Sequence, residues 1–161
     1  MIIRQGTTED VPFLKDMLFE AIFWNKDVER PNIDEFFKNQ IINKQIEYWG
    51  RDGDRSLIAE IENNRIGIAW YRLWNDLDPM FGFIDSNSPA VGISVCNDYR
   101  SKGIGRTLMT KLIDVANKDG YSALSLSVEP KNFARMLYKS LGFIKVGKAG
   151  TSWIYKLQLK N

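Results

Sequence analysis

The sequence predicts an α/β (α+β) fold, in which a mixed sheet of about six or seven strands is flanked by about four helices. Helical and strand-like periodicities follow one another in the order βααβββαβαββ, which is not the strict alternation of a doubly wound sheet. A hairpin signal in the first half and a glycine-containing strand-to-helix junction in the second support this order. At 161 residues and 18.6 kDa, we expect residues 1–161 to form a single domain.

The first 50 residues predict one strand and two helices. The strand is Ile2-Ile3-Arg4-Gln5, and Thr7 or Thr8 is expected to cap the helix that follows. The apolar residues of this first helix recur at helical spacing: Val11, Leu14, Leu18 and Ile22. A second helix is expected from Ile33 to about Tyr48, because the same apolar period continues there.

The middle of the chain predicts a hairpin and a long connection. Two strands, 56–62 and 65–74, are joined at Asn63-Asn64, a dipeptide that favours a tight turn. Residues 75–89 are expected to form a long connection, and loops of this length often carry functional residues. A short strand could form within it at 81–84.

The second half predicts two more helices and four more strands. Asp119-Gly120 is expected to end the longer helix, and Gly142 the shorter one. The strands are expected at 91–95, 123–128, 143–146 and 153–159, and the helices at 105–118 and 132–141.

A phosphate-binding loop is predicted where the 91–95 strand gives way to the long helix. Gly103 and Gly105 let the main chain approach an anion, and the helix start supplies unpaired N–H groups. Three cations flank the glycines: Arg100, Lys102 and Arg106. A dinucleotide fingerprint would need glycine at Leu108, and the nucleotide-triphosphate motif Gly-x-x-x-x-Gly-Lys-Ser/Thr does not occur, so a nucleotide-binding module is disfavoured.

Two motifs resemble signatures of the GCN5-related N-acetyltransferase (GNAT) superfamily. The stretch 99–105, Tyr-Arg-Ser-Lys-Gly-Ile-Gly, is similar to the family's Arg/Gln-x-x-Gly-x-Gly/Ala loop for the pyrophosphate of acetyl-coenzyme A (acetyl-CoA). The stretch 132–143 is similar to the family pattern Asn-x-x-Ala-x-x-Leu-Tyr-x-x-x-Gly-Phe, which it matches from Ala134 to Phe143. Asn132 lies one residue closer to Ala134 than the pattern places its asparagine. The resemblance implies a GNAT-like, mostly antiparallel sheet and one acyl-CoA N-acyltransferase domain over 1–161.

The resemblance also implies an acetyl-CoA site and an N-acetyltransferase that works by direct attack of a primary amine. At the point where the fourth strand diverges from its neighbour, the backbone N–H of Val95, or alternatively that of Cys96, would bind the oxyanion formed from the thioester. Tyr138 would be the general acid for the leaving thiolate, since a phenol is protonated at neutral pH. The cofactor-binding residues expected on this basis are Val95, Cys96, Arg100, Ser101, Lys102, Gly103, Ile104, Gly105, Arg106, Asn132 and Tyr138.

The general base stays open at this stage. Relatives often place a carboxylate on the fourth strand, but strand 90–95 reads Ala-Val-Gly-Ile-Ser-Val. The alternatives are a water chain, capture of an already neutral amine, or one of four carboxylates: Glu60, Asp76, Asp78 and Asp85. Asn97 and Ser101 also depart from the family's frequent proline and glycine, and a non-catalytic acyl-CoA sensor with the same fold is the alternative function.

The acceptor is expected between the first two helices and the central strands. Trp24 and Trp74, near the ends of their elements, are the candidates for acceptor binding, because indoles attract ammonium groups. Residues 1–90 hold 10 Lys/Arg and 16 Asp/Glu, while residues 91–161 hold 12 and 4. This asymmetry suits an amine in the first half and an anionic cofactor in the second. A polyamine, an amino acid, an antibiotic amine and a peptide N-terminus all remain open.

The composition argues against several other classes of function. The chain has no histidine and one cysteine, Cys96, which argues against metal catalysis and an internal disulfide and favours the reducing cytoplasm. No apolar run has the length of a membrane span, and the basic residues are too dispersed for a nucleic-acid surface. Edge strands near the C-terminus would allow a homodimer.

Overall fold

The computed structural model describes residues 1–160, whose seven strands form one sheet in the order β1-β2-β3-β4-β5-β7-β6. Among the strands of residues 1–160, only β4 and β5 run parallel, and every other neighbouring pair is antiparallel. The strands are β1 Ile2–Gln5, β2 Arg55–Ile61, β3 Asn64–Arg72, β4 Ala90–Val95, β5 Ala123–Val128, β6 Ile144–Ala149 and β7 Ser152–Gln158. The helices are α1 Val11–Ile22, α2 Ile33–Phe36, α3 Gln40–Asn43, α4 Ile104–Lys118 and α5 Ala134–Ser140. The predicted fold class is confirmed.

Thr7 rather than Thr8 caps the start of the first helical segment. Its side chain accepts from the N–H of Glu9, and its own N–H donates to the Asp10 carboxylate at 2.8 Å. The same carboxylate pairs with Arg4 at 2.8 Å and Arg65 at 2.7 Å, although Asp10 is almost fully buried. The charges of two arginines therefore compensate this buried carboxylate and tie the helix start to β1 and β3.

The prediction of one helix from Ile33 to about Tyr48 is wrong. The segment forms two short helices, α2 and α3, and then a series of turns. Asn39 lies between them with φ −66° and ψ 119°, an extended conformation, and its side chain accepts from the N–H groups of Ile41 and Ile42. An asparagine that caps a new helix in this way ends the previous one, and apolar spacing does not report this competition.

The two faces of the sheet bury separate cores. Leu108 and Leu112 of α4 pack against one face with Tyr71 of β3. Leu14 of α1 packs against the other face with Trp70 of β3. On this second face, a Cβ at Gly92 would lie 2.3 Å from the Trp70 ring. Glycine therefore lets the indole lie directly on β4.

The parallel pair, β4 and β5, is joined at one point in the described part of the chain. The register pairs Ala90 with Ser125, and the N–H of Ser125 donates to the carbonyl of Pro89 at 3.0 Å. Beyond this bridge no β4–β5 pairing continues within residues 1–160. The strands therefore diverge toward the carboxyl end of β4 and leave a gap inside the sheet.

The long connection 75–89 closes one side of this gap. The strand allowed at 81–84 is not formed. Gly82 has φ +83°, and a Cβ there would lie 3.0 Å from the backbone of Leu126 and Ser127. Only glycine allows this close approach, which brings Met80 and Phe81 to the gap. Within residues 1–160, no helix combines the length and apolar composition needed to cross a membrane.

Candidate active site

One cavity of about 760 Å³ runs through the gap between β4 and β5. Its first half, the cofactor side, is lined by the 99–106 loop, by the end of β5 and by α5. Its second half, the acceptor side, is lined by α1, by the carboxyl end of β3 and by Met80 and Phe81. A single space therefore connects the predicted phosphate loop with the predicted acceptor region.

The phosphate loop ends at an uncapped helix. Gly103 has φ +85°, and no side chain caps α4. The N–H of Thr107 makes the first helical bond, to the Gly103 carbonyl at 3.1 Å. The three preceding N–H groups, from Ile104, Gly105 and Arg106, are therefore directed out of the helix start, where they and the helix dipole favour an anion.

Ser101 and Gly105 show how this loop uses small residues. Ser101 has φ +60°, a left-handed conformation that costs a non-glycine residue about 1 kcal/mol. A Cβ at Gly105 would lie 3.4 Å from Ile93 and 3.5 Å from Leu137, in ordinary contact. The packing of α4 therefore does not by itself require glycine at 105, whereas Ser101 adopts a strained conformation that glycine would adopt without cost.

The GNAT resemblance suggests the N–H of Val95 or that of Cys96 as the donor to the oxyanion, and only one of these two is available at the end of β4. The N–H of Cys96 donates to the carbonyl of Ile66 at 2.8 Å, so it is already used in the β3–β4 pairing. Since N–H directions alternate along an antiparallel strand, the N–H of Val95 faces the gap instead. The Val95 carbonyl, on the same side, accepts from Arg100 Nε at 2.8 Å.

Tyr138 and Asn132 bring α5 to the cavity. Tyr138 is 7% exposed, its ring centroid lies 5.8 Å from that of Phe143, and burial raises the pKa of its hydroxyl well above the usual value. The hydroxyl is therefore protonated across the physiological pH range. Asn132 accepts from the N–H of Ala134 at 2.9 Å through Oδ1, so its side chain orients the start of α5.

Of the eleven predicted cofactor residues, nine line the cavity and two do not. The two that do not are Cys96, whose N–H donates to β3, and Lys102, whose ammonium lies 5.6 Å from the centroid of the Tyr99 ring. The four carboxylates considered for the general base also lie outside the cavity lining. Glu60 pairs with Arg4 at 2.7 Å, and Asp78 pairs with Lys44 at 2.5 Å. The carboxylates that do line the cavity are Glu20 and Glu129.

Both predicted acceptor residues line the acceptor side. Trp24 is half-buried and follows α1, while Trp74 is 6% exposed and follows β3. Between Trp74 and Trp49 lies the guanidinium of Arg72, 5.9 Å and 4.9 Å from the two ring centroids. Alternation along β3 places Arg72 on the face of Trp70, but the sequence does not show that it is buried.

Arg72 holds the wall of the acceptor side in place. Its side chain is 2% exposed and donates to the Asp54 carboxylate at 2.9 and 2.8 Å. It also donates to the carbonyls of Lys44 at 2.9 Å and Glu47 at 2.7 Å, on either side of Gln45. Because its donors serve these partners, Arg72 fixes the 44–47 segment against β3.

Two polar atoms of residues that line this cavity are buried without a hydrogen-bond partner in residues 1–160: Gln45 Nε2 and Ser94 Oγ. Such groups cost free energy unless a ligand or water completes them. The side chains of residues 1–160 contain no group of three or more cysteines and carboxylates arranged to hold a metal ion. The arrangement provides N–H donors, a phenol and two carboxylates, the group types needed for acyl transfer to an amine.

Comparison with known proteins agrees with this arrangement. The sequence model of the Acetyltransferase (GNAT) family matches residues 18–143, most of the chain. The chain belongs to this family. Streptothricin acetyltransferase A of Bacillus subtilis (strain 168) is 25% identical over 134 residues, which is 83% of this chain and 72% of that protein.

Solved structures share the fold over nearly the whole chain. The ribosomal-protein-alanine N-acetyltransferase from Brucella melitensis has a TM-score of 0.70 and 25% identity, covering 99% of this chain and all of that one. A putative acetyltransferase from Salmonella typhimurium, solved with its cofactor acetyl-CoA, has a TM-score of 0.67 and 22% identity. The superposition covers 100% of this GNAT chain and 95% of the Salmonella chain.

Proposed function

We propose that this GNAT acyltransferase moves the acetyl group of acetyl-CoA to a primary amine by direct attack. The observation that carries the proposal is the single cavity, which joins an uncapped α4 start, the free N–H of Val95 and a buried Tyr138 to an aromatic acceptor side. Residues 1–161 would act as one acyl-CoA N-acyltransferase domain, and the free thiol of Cys96 fits a place in the reducing cytoplasm.

The residues of the cofactor side would divide the work by position. The N–H groups of Ile104, Gly105 and Arg106 would hold the pyrophosphate, with Arg106 itself fixed to Ser140 at 2.7 Å. Arg100, Ser101, Lys102 and Gly103 would form the rest of the loop. Val95 would stabilise the oxyanion through its N–H.

The residues at the reacting bond would then complete the transfer. The amine nitrogen would bond to the thioester carbon, the carbon–sulphur bond would break, and Tyr138 would give its proton to the thiolate. Asn132, at the start of α5, would orient the arm of the cofactor that leads to the thioester, and Trp24 and Trp74 would contact the acceptor. A homodimer through the exposed edge of β6 is part of the proposal, since the outer side of that strand is unpaired within residues 1–160.

The test is release of free thiol from acetyl-CoA in the presence of a panel of amines, amino acids and peptides. Acceptor-dependent release supports the proposal and identifies the acceptor class. Tight acetyl-CoA binding with no release for any acceptor would contradict it in favour of an acyl-CoA sensor.

A further inference from the structure

Glu20 is placed on the acceptor side of the cavity. It belongs to α1, whose residues Leu18, Ala21 and Ile22 also line the space. Burial raises the pKa of the Cys96 thiol, and the negative charge of Glu20 adds to this rise. Because Cys96 follows Val95 directly, the Glu20 carboxylate lies within electrostatic reach of the β4 end where the thioester would bind.

The Glu20 carboxylate is oriented by an arginine that leaves one oxygen available. Arg30 Nη1 lies 2.8 Å from Glu20 Oε1, while Arg30 Nη2 donates to the carbonyl of Phe23 at 3.0 Å. The same guanidinium lies 5.9 Å from the centroid of the Phe19 ring. Within residues 1–160 no hydrogen bond reaches Glu20 Oε2. The carboxylate is therefore fixed with half of its accepting capacity unused.

The other charged groups of the cavity do not suit an ammonium ion in the same way. Arg72 is committed to Asp54, and Arg100 and Arg106 are cations of the phosphate loop. Glu129 follows β5 and precedes α5, so it lies beside the cofactor side. Glu20 is the carboxylate placed among the indoles of the acceptor side, where an ammonium group would be attracted by both charge and aromatic faces.

We propose that Glu20 is a further catalytic residue, whose Oε2 binds the acceptor's ammonium group and receives the proton that the amine loses during attack. The inference rests on the proposed acetyl transfer. The bound ammonium first releases one proton to bulk water, which leaves a neutral amine with a lone pair. The amine nitrogen then bonds to the thioester carbon, an N–H bond breaks and its proton goes to Glu20, the carbon–sulphur bond breaks, and the thiolate takes a proton from Tyr138. A free amine holds its proton about 6 pKa units more tightly than a carboxylate, so transfer to Glu20 occurs as bond formation acidifies the nitrogen.

The decisive variant is Glu20→Gln, which keeps an oxygen for Arg30 but removes the negative charge. We expect kcat/KM for a primary alkylamine to fall about 100-fold, with the dissociation constant of acetyl-CoA unchanged. Glu20→Asp should recover part of the loss. The matched control is Glu35→Gln, because Glu35 is also ion-paired, to Lys38 at 2.7 Å, but lies outside the cavity lining. This control should keep the kcat/KM of the unchanged protein.

A second acceptor separates proton removal from a structural effect. An aromatic or alkoxy amine, which is already neutral at the assay pH, needs little help with its proton, so Glu20→Gln should lower its kcat/KM far less. An equal loss for both kinds of amine, or a loss below about twofold for the alkylamine, would overturn the inference while acceptor-dependent thiol release still supported the proposed function.

Failure of the proposed function would be recognised separately, as absence of thiol release from the unchanged protein with every amine. Ammonium binding is then measured by calorimetric titration of the alkylamine into the protein saturated with coenzyme A. Binding weakened about 10-fold by Glu20→Gln would support the recognition role of Glu20, and equal binding would overturn it.

Discussion

Replacement of Arg72 by methionine should show how strongly one buried ion pair supports the acceptor side. The Arg72 and Asp54 side chains are 2% and 1% exposed, so the substitution removes the hydrogen-bonded cation of a buried carboxylate and leaves it only Arg51, whose Nε lies 3.9 Å away. Removing one partner of a buried pair costs about 3–5 kcal/mol. The N–H groups of Gly50 and Arg51 still donate to Asp54 at 2.9 and 3.1 Å, which favours the lower end of this range.

The carbonyls of Lys44 and Glu47 also lose their donor in this variant. Each buried carbonyl left without a partner adds about 1 kcal/mol unless water reaches it. We therefore expect Arg72→Met to lower the free energy of unfolding by about 3–5 kcal/mol, a large part of the stability of a domain this size. Because Gln45 of the 44–47 segment lines the acceptor side, KM for the acceptor should rise as well.

Urea denaturation followed by tryptophan fluorescence measures this loss, since Trp49 and Trp74 flank the Arg72 guanidinium. The control is Lys38→Met, which removes an ion pair whose two side chains are 70% and 66% exposed and should cost at most about 0.5 kcal/mol. If Arg72→Met lost less than about 1 kcal/mol, or no more than the control, the reasoning from burial would be refuted.

Four further predictions test other parts of the structure. Gly103→Val and Gly120→Val replace glycines at opposite ends of α4 with nearly equal φ of +85° and +88° and open space around them, so both should lose similar stability by thermal unfolding. Only the Gly103 variant should weaken acetyl-CoA binding by calorimetry, about 10- to 100-fold, and a similar effect of both variants would refute the phosphate loop. Tyr138→Phe should lower kcat about 100-fold with acetyl-CoA affinity nearly intact, and unchanged turnover would remove this residue from the mechanism. Ser125→Ala deletes a fully buried hydroxyl without a partner in residues 1–160 and should raise the free energy of unfolding by about 1 kcal/mol, whereas a fall would contradict this account. Asp10 has a pKa lowered from 3.8, chiefly by its hydrogen bonds with Arg4, so its contribution to stability is complete above about pH 5 and is lost as the pH falls further. The unchanged protein should therefore lose stability more steeply than Asp10→Asn between about pH 5 and 2, and parallel curves would be the contrary result.

Local sequence signals predicted most of the elements and failed at particular places. The first strand and β5 have the predicted bounds. In β5 the apolar residues Leu124, Leu126 and Val128 alternate with serines, a pattern typical of a strand. The hairpin turn lies one residue earlier than predicted, at Glu62 and Asn63, which both adopt positive φ. The second helix was predicted incorrectly because Asn39 caps a new helix there, a choice that competes with the apolar period.

The candidate site likewise contains some residues that local sequence predicts and others that it does not. The loop at 100–106 is contiguous in sequence, so its glycines and cations at a strand-to-helix junction indicate a phosphate site. The part that the 132–143 helix would play comes from the resemblance to the GNAT superfamily. The carboxylate candidates Glu60 and Asp78 lie in ion pairs outside the cavity lining, and their partners Arg4 and Lys44 are distant in the chain, so sequence spacing does not indicate these pairs.

The sequence by itself determined the order of the seven strands, the helices α1, α4 and α5, the family and the loop that would hold the cofactor, because these depend on residues close together in the chain. The tertiary structure decided which N–H at the end of β4 is free, that Arg72 is buried against Asp54, and that Glu20 meets the cavity. These facts depend on the divergence of β4 from β5 and on the packing of α1 across β4, which bring together residues distant in the chain. Local propensity and spacing carry no information about such distances, whereas burial and charge pairing follow directly from them.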